Sequence, residues 1–230
     1  MNADHKIDCS LRKLWLSIAI TVVFAMTAEA SFASPNPSGG PMPYARLAAE
    51  WWQWALETPT TDNPLLDNFG VSCGVNQKGK YWFLAGTFGG DAERSCIVPS
   101  GKSLFFPVVN LVYGAYLNDP PGTKRIGYMR SLISSIADCT DVSATLDDTH
   151  VAIVHERSIP FVLHLPADNI LGATPDLVKN LMITPSVDEG DYVLLNPLSP
   201  GPHTIVFNNT PVPPNCTFKS KVIYHLNIVP

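Results

Sequence analysis

Proline is the residue that most constrains how this chain can fold. The sequence has 21 prolines in 230 residues, and they are spread along the chain rather than confined to one segment. Proline interrupts the interior of helices and of central strands, so prolines spread in this way indicate frequent breaks between elements. Frequent turns between short strands are typical of an all-β domain. We therefore predict a mainly β fold, a β-sandwich or jelly-roll-like domain with an N-terminal tryptophan-rich helix and one further helix.

Apolar and alternating segments indicate where the strands lie. The predicted strands span residues 80–88, 101–110, 150–156, 159–166, 200–209 and 218–230. The first two are apolar on both faces, which favours strands buried on two sides, with Pro107 at a bulge or an edge position. The last two predict a strand pair. Alternation in the final strand predicts an inward row of Val222, Tyr224, Leu226 and Ile228.

Two segments have the spacing of helices. Residues 43–58 begin at Pro43 and are followed by Pro59, and apolar residues recur between them at helical spacing. Three of the five tryptophans lie in this helix, at positions 51, 52 and 54. A second helix is predicted over residues 123–137, where Ile126, Met129, Ile133 and Ile136 recur on one face.

The N-terminus has the pattern of a secretory leader. Basic residues precede an apolar run at 14–28, and small residues follow it. We predict a signal peptide over residues 1–30, a Pro/Gly/Ser linker over 31–43 and one β-rich domain over 44–230. The alternative is a membrane anchor, but the run is shorter than the roughly 18 residues of a spanning helix. The predicted location is therefore periplasmic or extracellular, with no transmembrane anchor after cleavage.

Composition and charge narrow the class of partner. Hydrophobic residues make up 46% of the chain and charged residues 15%, which is enough apolar material for a core. The formal net charge is −5 and no basic run is present, so nucleic acid is not an expected partner.

Four cysteines follow the predicted leader, and an even number in an exported chain indicates two disulfides. Three pairings are possible. We favour Cys73 with Cys96, which closes a hairpin-sized loop, and Cys139 with Cys216, which joins the middle of the chain to the C-terminal hairpin. A zinc site is the weaker alternative because no C-x-x-C spacing occurs. The sequence predicts no metal site and no cofactor.

Several segments resemble a family of uncharacterised exported bacterial proteins. The residues that carry the resemblance are WWQWALETP, NPLLDNFGVSCGVNQ, YWFLAG, RSCIVPSGKSLFFPVVN and PLSPGPHTIVF. Together they cover most of the chain after the leader. The resemblance implies an exported, single-domain, disulfide-linked protein, and it supplies no catalytic residues.

Carboxylates and one histidine are the candidate catalytic residues. Glu50 and Glu57 lie seven positions apart, so a helix places them on nearly the same face, about 10 Å apart along its axis. Two carboxyl groups at such a distance could act in an inverting glycosidase. The alternative is a solvated pair in which Glu50 binds Arg46. Asp67 is a further loop carboxylate. His203 could be a base, or a structural residue hydrogen-bonded to a carbonyl.

The tryptophans are the candidate binding residues. Trp51 and Trp54 share the stripe that faces the sheet, so one or both are expected in the core, although Trp54 between the two glutamates could also stack on a sugar ring. Trp52 lies about 100° around the helix from Trp51. We therefore expect Trp52 at the surface or in a groove.

The sequence is rich in aromatic residues but contains no recognisable set of catalytic residues. This combination favours a binding protein over an enzyme. The leading hypothesis is a ligand-binding or interaction protein of the cell envelope or extracellular space, with a glycan or a protein as its ligand. The alternative is a hydrolase that acts on a polysaccharide or an ester with helix or loop carboxylates. A structural envelope component is the third possibility.

Overall fold

The computed structural model describes residues 43–117, 119–120, 122–137, 140–212 and 217–230. The helices are α1 (Tyr44–Leu56) and α2 (Ile126–Ala137), with 3₁₀ turns at Thr60–Asp62 and Lys179–Leu181. The strands are β1 (Tyr81–Phe83), β2 (Gly90–Pro99), β3 (Ser103–Gly114), β4 (Thr140–Leu146), β5 (Thr149–His150), β6 (Val154–Arg157), β7 (Phe161–His164), β8 (Met182–Leu195), β9 (Gly201–Pro211) and β10 (Ser220–Val229). The predicted mainly β fold with two helices is confirmed.

The strands form two mixed sheets. Sheet one has the order β1-β3-β8-β6, and β7 also pairs with β8. Sheet two has the order β2-β10-β9-β4-β5. Pairing is antiparallel except for β1 with β3 and β2 with β10, which are parallel. Pro107 marks the point at which the register of β3 against β8 shifts, as expected for a proline at a bulge.

Burial on both faces of β3 explains its unbroken apolar sequence. Leu104 and Phe106 pack in the cluster between the two sheets, together with Phe207 and Tyr224. Phe105 points to the opposite face and packs beneath α1. Sheet one is therefore the middle layer, with α1 on one face and sheet two on the other. The predicted inward row of β10 is confirmed, because Val222, Tyr224, Leu226 and Ile228 are all buried.

Three strands are missing from the sequence-based prediction, and two of them have polar residues at buried positions. In β2 the inward residues are Ala92, Arg94, Cys96 and Val98, so a buried arginine breaks the apolar alternation. In β8 the acidic pair Asp188-Glu189 is buried in a central strand. The third is β4. The charged run at residues 91–94 favours a salt-bridged turn on sequence alone, but it lies within β2.

The disulfide between Cys73 and Cys96 is present, as predicted. Cys139 and Cys216 lie outside the described residues, and so do the predicted leader and all of the predicted linker except Pro43. In the part of the chain that the structure describes, no helix is long and apolar enough to cross a membrane.

Candidate functional site

An apolar cavity of about 340 Å³ lies between α1, β3 and the first residues of β4 and β10 in sheet two. Its walls come from Trp51 and Trp52 of α1, Pro107–Val112 of β3, Leu65, the loop 86–88, Thr140, Phe218 and Ser220. Phe88 and Phe218 are partly exposed to solvent, which places them at the rim. We refer to this space as the apolar cavity.

A few polar groups interrupt the apolar lining. Thr140 contributes a buried hydroxyl oxygen that has no hydrogen-bond partner among the described residues. Asn110 contributes a side-chain amide whose Nδ2 lies 3.5 Å from the hydroxyl of Tyr192. A mainly apolar pocket with few convergent polar groups is the usual form of a small-molecule site.

Trp52 is not a surface residue, although it does line this cavity. Its side chain is only 6% exposed, and its Nε1 donates a hydrogen bond of 2.6 Å to Oδ2 of Asp188. Of the two expected positions, surface or groove, the surface position is wrong, because α1 is covered over more of its circumference than one stripe. Trp51 reaches the carbonyl of Leu84, Trp52 reaches Asp188, and Trp54 reaches the carbonyl of Val75. Trp51 and Trp54 are buried, as expected.

Asp188 is the most perturbed acid near the cavity. Its side chain is fully buried and accepts hydrogen bonds from Trp52 and from the hydroxyl of Tyr192. Burial and, to a smaller extent, the charge of Glu189 raise the pKa of Asp188, which is about 7 in the folded protein. The two hydrogen bonds and the charge of Arg130 oppose this rise. A buried acid that titrates near neutral pH is a feature of functional sites.

The side chain of Glu189, the neighbour of Asp188 on β8, takes part in a cluster of ionic contacts with His155 and Arg157. Its carboxylate lies 3.1 Å from Nε2 of His155 and 3.0 Å from Nε of Arg157. Burial alone would raise the pKa of Glu189, but these hydrogen bonds and charges lower it. Nδ1 of His155 also contacts Asp191 at 3.0 Å. Burial disfavours the charged form of His155, but the two carboxylates outweigh it and raise the pKa of the imidazole.

Glu50, Trp54 and Glu57 line a second, more polar groove of about 630 Å³, together with Tyr81 and Phe83. The two carboxylates therefore face the same space, as helical spacing predicts. Each already has a partner. Glu50 lies 3.1 Å from Arg46, which is the expected alternative, and Glu57 accepts a hydrogen bond of 2.8 Å from the backbone N–H of His164. We refer to this space as the polar groove.

Asp67 lies outside the polar groove and organises a loop. Its carboxylate accepts the backbone N–H groups of Phe69, Gly70 and Ser72 at 2.7–3.0 Å. Burial would raise the pKa of Asp67, but these hydrogen bonds lower it below its usual value. The carboxylate of Asp67 therefore stabilises the backbone of this loop and does not point towards a substrate site.

His203 contacts Ser199 and Asp147, but the geometry suits a structural role rather than that of a base. We refer to these contacts as the His203 clamp. Nδ1 lies 2.7 Å from Oδ2 of Asp147, while Nε2 lies 2.9 Å from the carbonyl oxygen of Ser199 and 3.2 Å from its hydroxyl. A nitrogen that donates to a carbonyl has no lone pair with which to accept the serine proton. The hydrogen bond to Asp147 raises the pKa of His203, which favours an imidazolium that donates from both nitrogens.

This clamp predicts a pH-dependent contribution to stability. The pKa of His203 is higher in the folded protein than the ordinary value of about 6.5, so the stabilisation is fully present below that value and is lost as pH rises through the folded pKa. We expect His203→Gln to lower the free energy of unfolding more at pH 5.5 than at pH 9, as measured by urea denaturation. Asp147→Asn should remove the same difference. Equal losses at both pH values in His203→Gln would contradict the clamp.

Sequence reasoning did not single out Asn110, Asp188 or Tyr192. The available signal was the pair Asp188-Glu189 inside the otherwise strand-like segment 182–195, because polar residues in a central strand need specific partners. Among the described residues, no group of three His, Cys, Asp or Glu side chains is arranged to hold a metal ion.

Comparison with protein-family models and with curated proteins finds no match to this chain. Among solved structures, the cysteine protease inhibitor EhICP2 from Entamoeba histolytica matches it at 12% sequence identity and a TM-score of 0.23. The match covers 61% of this chain and 88% of the inhibitor. An overall similarity at this level carries no argument about the function of the chain.

Proposed function

We propose that this protein is exported and binds a small, mainly apolar molecule in the apolar cavity. The observation that carries the proposal is the cavity itself, with Trp51 and Trp52 in its wall. Its volume of about 340 Å³ lies in the range of about 300–1,000 Å³ that is usual for small-molecule sites. It is also roughly twice the size of an apolar cavity of about 150 Å³ that accepts benzene. A two-ring molecule is therefore a suitable size.

Export is supported by two independent features. The N-terminal sequence has the order of a secretory leader. Cys73 and Cys96 form a disulfide, and disulfides persist mainly in oxidising compartments such as the periplasm or the extracellular space.

Glycan binding in the polar groove is the second candidate function. It is favoured by the placement of Trp54 between Glu50 and Glu57, with Tyr81 and Phe83 beside them. It has less support than the apolar cavity, because both carboxylates and the indole N–H already have partners within the protein. Those same contacts, and the donor role of Nε2 in His203, weigh against the hydrolase alternative.

Binding of naphthalene, measured by isothermal titration calorimetry, tests the proposal. We expect a dissociation constant on the order of 0.1 mM, since small ligands gain roughly 0.3–1.5 kcal/mol per non-hydrogen atom. Val109 lines the cavity, so Val109→Trp should fill it and weaken binding at least about tenfold. The matched control is Val71→Trp, because Val71 is 89% exposed and is not part of the cavity wall. Binding that is equally strong in Val109→Trp would exclude the apolar cavity as the site. An oligosaccharide series in the same assay examines the polar groove.

A further inference from the structure

A chain of hydrogen bonds connects a buried acid to the wall of the apolar cavity. Tyr192 donates its hydroxyl proton to Oδ1 of Asp188, and Nδ2 of Asn110 donates to the oxygen of that hydroxyl over 3.5 Å. Asp188 and Tyr192 are fully buried, whereas Asn110 lines the cavity. The other oxygen of Asp188 accepts the indole N–H of Trp52. Trp52 and Asn110, which both line the cavity, are therefore oriented by the carboxyl group of Asp188, directly and through Tyr192 respectively.

The direction of these hydrogen bonds depends on the charge of Asp188. A carboxylate can only accept, so the hydroxyl of Tyr192 must donate to it and must accept from the amino group of Asn110. The indole of Trp52 can only donate, so Oδ2 remains an acceptor in both states. A proton on Asp188 is best placed on Oδ1, because the neighbouring oxygen of Tyr192 can accept it there, whereas Oδ2 faces only the donor of Trp52. The hydroxyl of Tyr192 then turns its own proton towards Asn110, where only the carbonyl oxygen of the amide can accept it.

We propose that the Asp188–Tyr192–Asn110 relay decides whether the apolar cavity offers a ligand the carbonyl oxygen or the amino group of Asn110. With Asp188 ionised, the amino group is used by Tyr192 and the carbonyl oxygen faces the cavity. With Asp188 protonated, the amide turns over and the amino group faces the cavity. Asp188 and Tyr192 are thus positioning residues, since they act on the ligand through Asn110.

The charged groups around Asp188 determine where this change occurs. Glu189, next to it on β8, favours the protonated form, whereas Arg130, from α2, favours the ionised form. Trp52, from α1, favours the ionised form by donating to it. His155 and Arg157, from β6, bind Glu189, and His155 also binds Asp191 on β8. Burial dominates and raises the pKa of Asp188 to about 7, so both forms are populated near neutral pH.

The inference rests on the proposed binding function and specifies the class of ligand. Above the pKa of Asp188, the cavity should prefer an apolar molecule with a hydrogen-bond donor. Below that pKa, it should prefer an apolar molecule with an acceptor. Indole, which has one N–H donor, and quinoline, which has one acceptor nitrogen, are two-ring probes of matched size. Naphthalene, which has neither group, is the reference.

Calorimetric titration of each probe at pH 6 and pH 8 tests the relay. The ratio of indole to quinoline affinity should rise about tenfold from pH 6 to pH 8, the amount expected for one hydrogen bond exchanged. Tyr192→Phe should abolish this rise because it cuts the relay and changes little volume. Asn110→Leu provides a second test, should the first variant fail to fold. An unchanged ratio in the wild-type protein would overturn the proposal.

A measurement without ligand separates the relay from the binding function. The side-chain NH₂ resonances of Asn110, followed by NMR from pH 6 to pH 8, should shift in the wild-type protein and remain fixed in Tyr192→Phe. If no probe binds while these resonances shift in this way, the relay stands and the proposed binding function fails. If the resonances do not shift, or shift equally in the variant, the relay is wrong even where the probes bind.

Discussion

Replacing Arg94 with methionine should lower the free energy of unfolding by about 3–5 kcal/mol. Arg94 is only 1% exposed, and its guanidinium donates to the carbonyl oxygens of Asp67, Ala85 and Gly86 and to the hydroxyl of Tyr224. Methionine restores most of the volume but none of the donors. The carbonyl oxygens of Asp67 and Gly86 then lose this donor, while that of Ala85 keeps the hydroxyl of Tyr224. Each such loss is costly in a buried position.

The matched control for this variant is Glu93→Gln. Glu93 is the preceding residue of β2, but its side chain points to solvent, and its ionic partner among the described residues is the half-exposed His225. We expect a change of no more than about 0.5 kcal/mol. Urea denaturation of both variants measures the difference. Comparable stabilities for Arg94→Met and Glu93→Gln would show that the guanidinium contributes little to the fold.

Arg94 also connects stability to the proposed site. The carbonyl group of Gly86 belongs to the loop 86–88, which forms one wall of the apolar cavity. Asp67, whose carbonyl group binds the same guanidinium, begins the loop that leads to Cys73. The variant should therefore weaken naphthalene binding in addition to lowering stability.

Replacing Trp51 with alanine is the second substitution with a large expected effect, a loss of about 3–5 kcal/mol in the free energy of unfolding. Trp51 is almost fully buried, and its ring meets Trp52 at 5.0 Å and Trp54 at 6.1 Å between centroids. Its Nε1 donates to the carbonyl oxygen of Leu84 at 2.9 Å. Alanine removes one of the three tryptophan rings that α1 buries and leaves that carbonyl without the indole donor.

Arg46→Ala on the same helix provides the comparison. It removes a surface ion pair with Glu50, which contributes about 0.3–0.5 kcal/mol between residues spaced by four in a helix. Thermal or urea unfolding of the two variants should differ by several kcal/mol. A loss below about 1 kcal/mol for Trp51→Ala would mean that α1 is not anchored through this ring.

The fold class could be predicted because most core residues follow simple periodicities. The β9–β10 pair alternates cleanly, and α1 and α2 have helical spacing between proline or loop boundaries. The strands β2 and β8 could not be predicted on that basis. Arg94 and Asp188 occupy positions where periodicity expects an apolar residue, and their burial depends on partners that are distant in the sequence, at Tyr224 and Trp52.

The candidate site was predictable only in part for the same reason. Helical spacing placed Glu50, Trp54 and Glu57 on one surface, and they do share the polar groove. It could not show that β8 and the cavity wall surround α1 on the side of Trp52. Nor could it show that Asn110, an ordinary polar residue near the middle of β3, reaches Asp188 through Tyr192. Those relations come from strand register, which periodicity alone does not determine.

The most direct test of the central claim is a crystal of the exported protein soaked with 1-bromonaphthalene and measured at the bromine absorption edge. We predict an anomalous bromine peak inside the apolar cavity, next to the ring of Trp52 and within reach of Val109 and Leu111. A peak in the polar groove, on the exposed side chains of Phe69 and Val71, or nowhere on the protein would contradict the proposal that this cavity is the binding site.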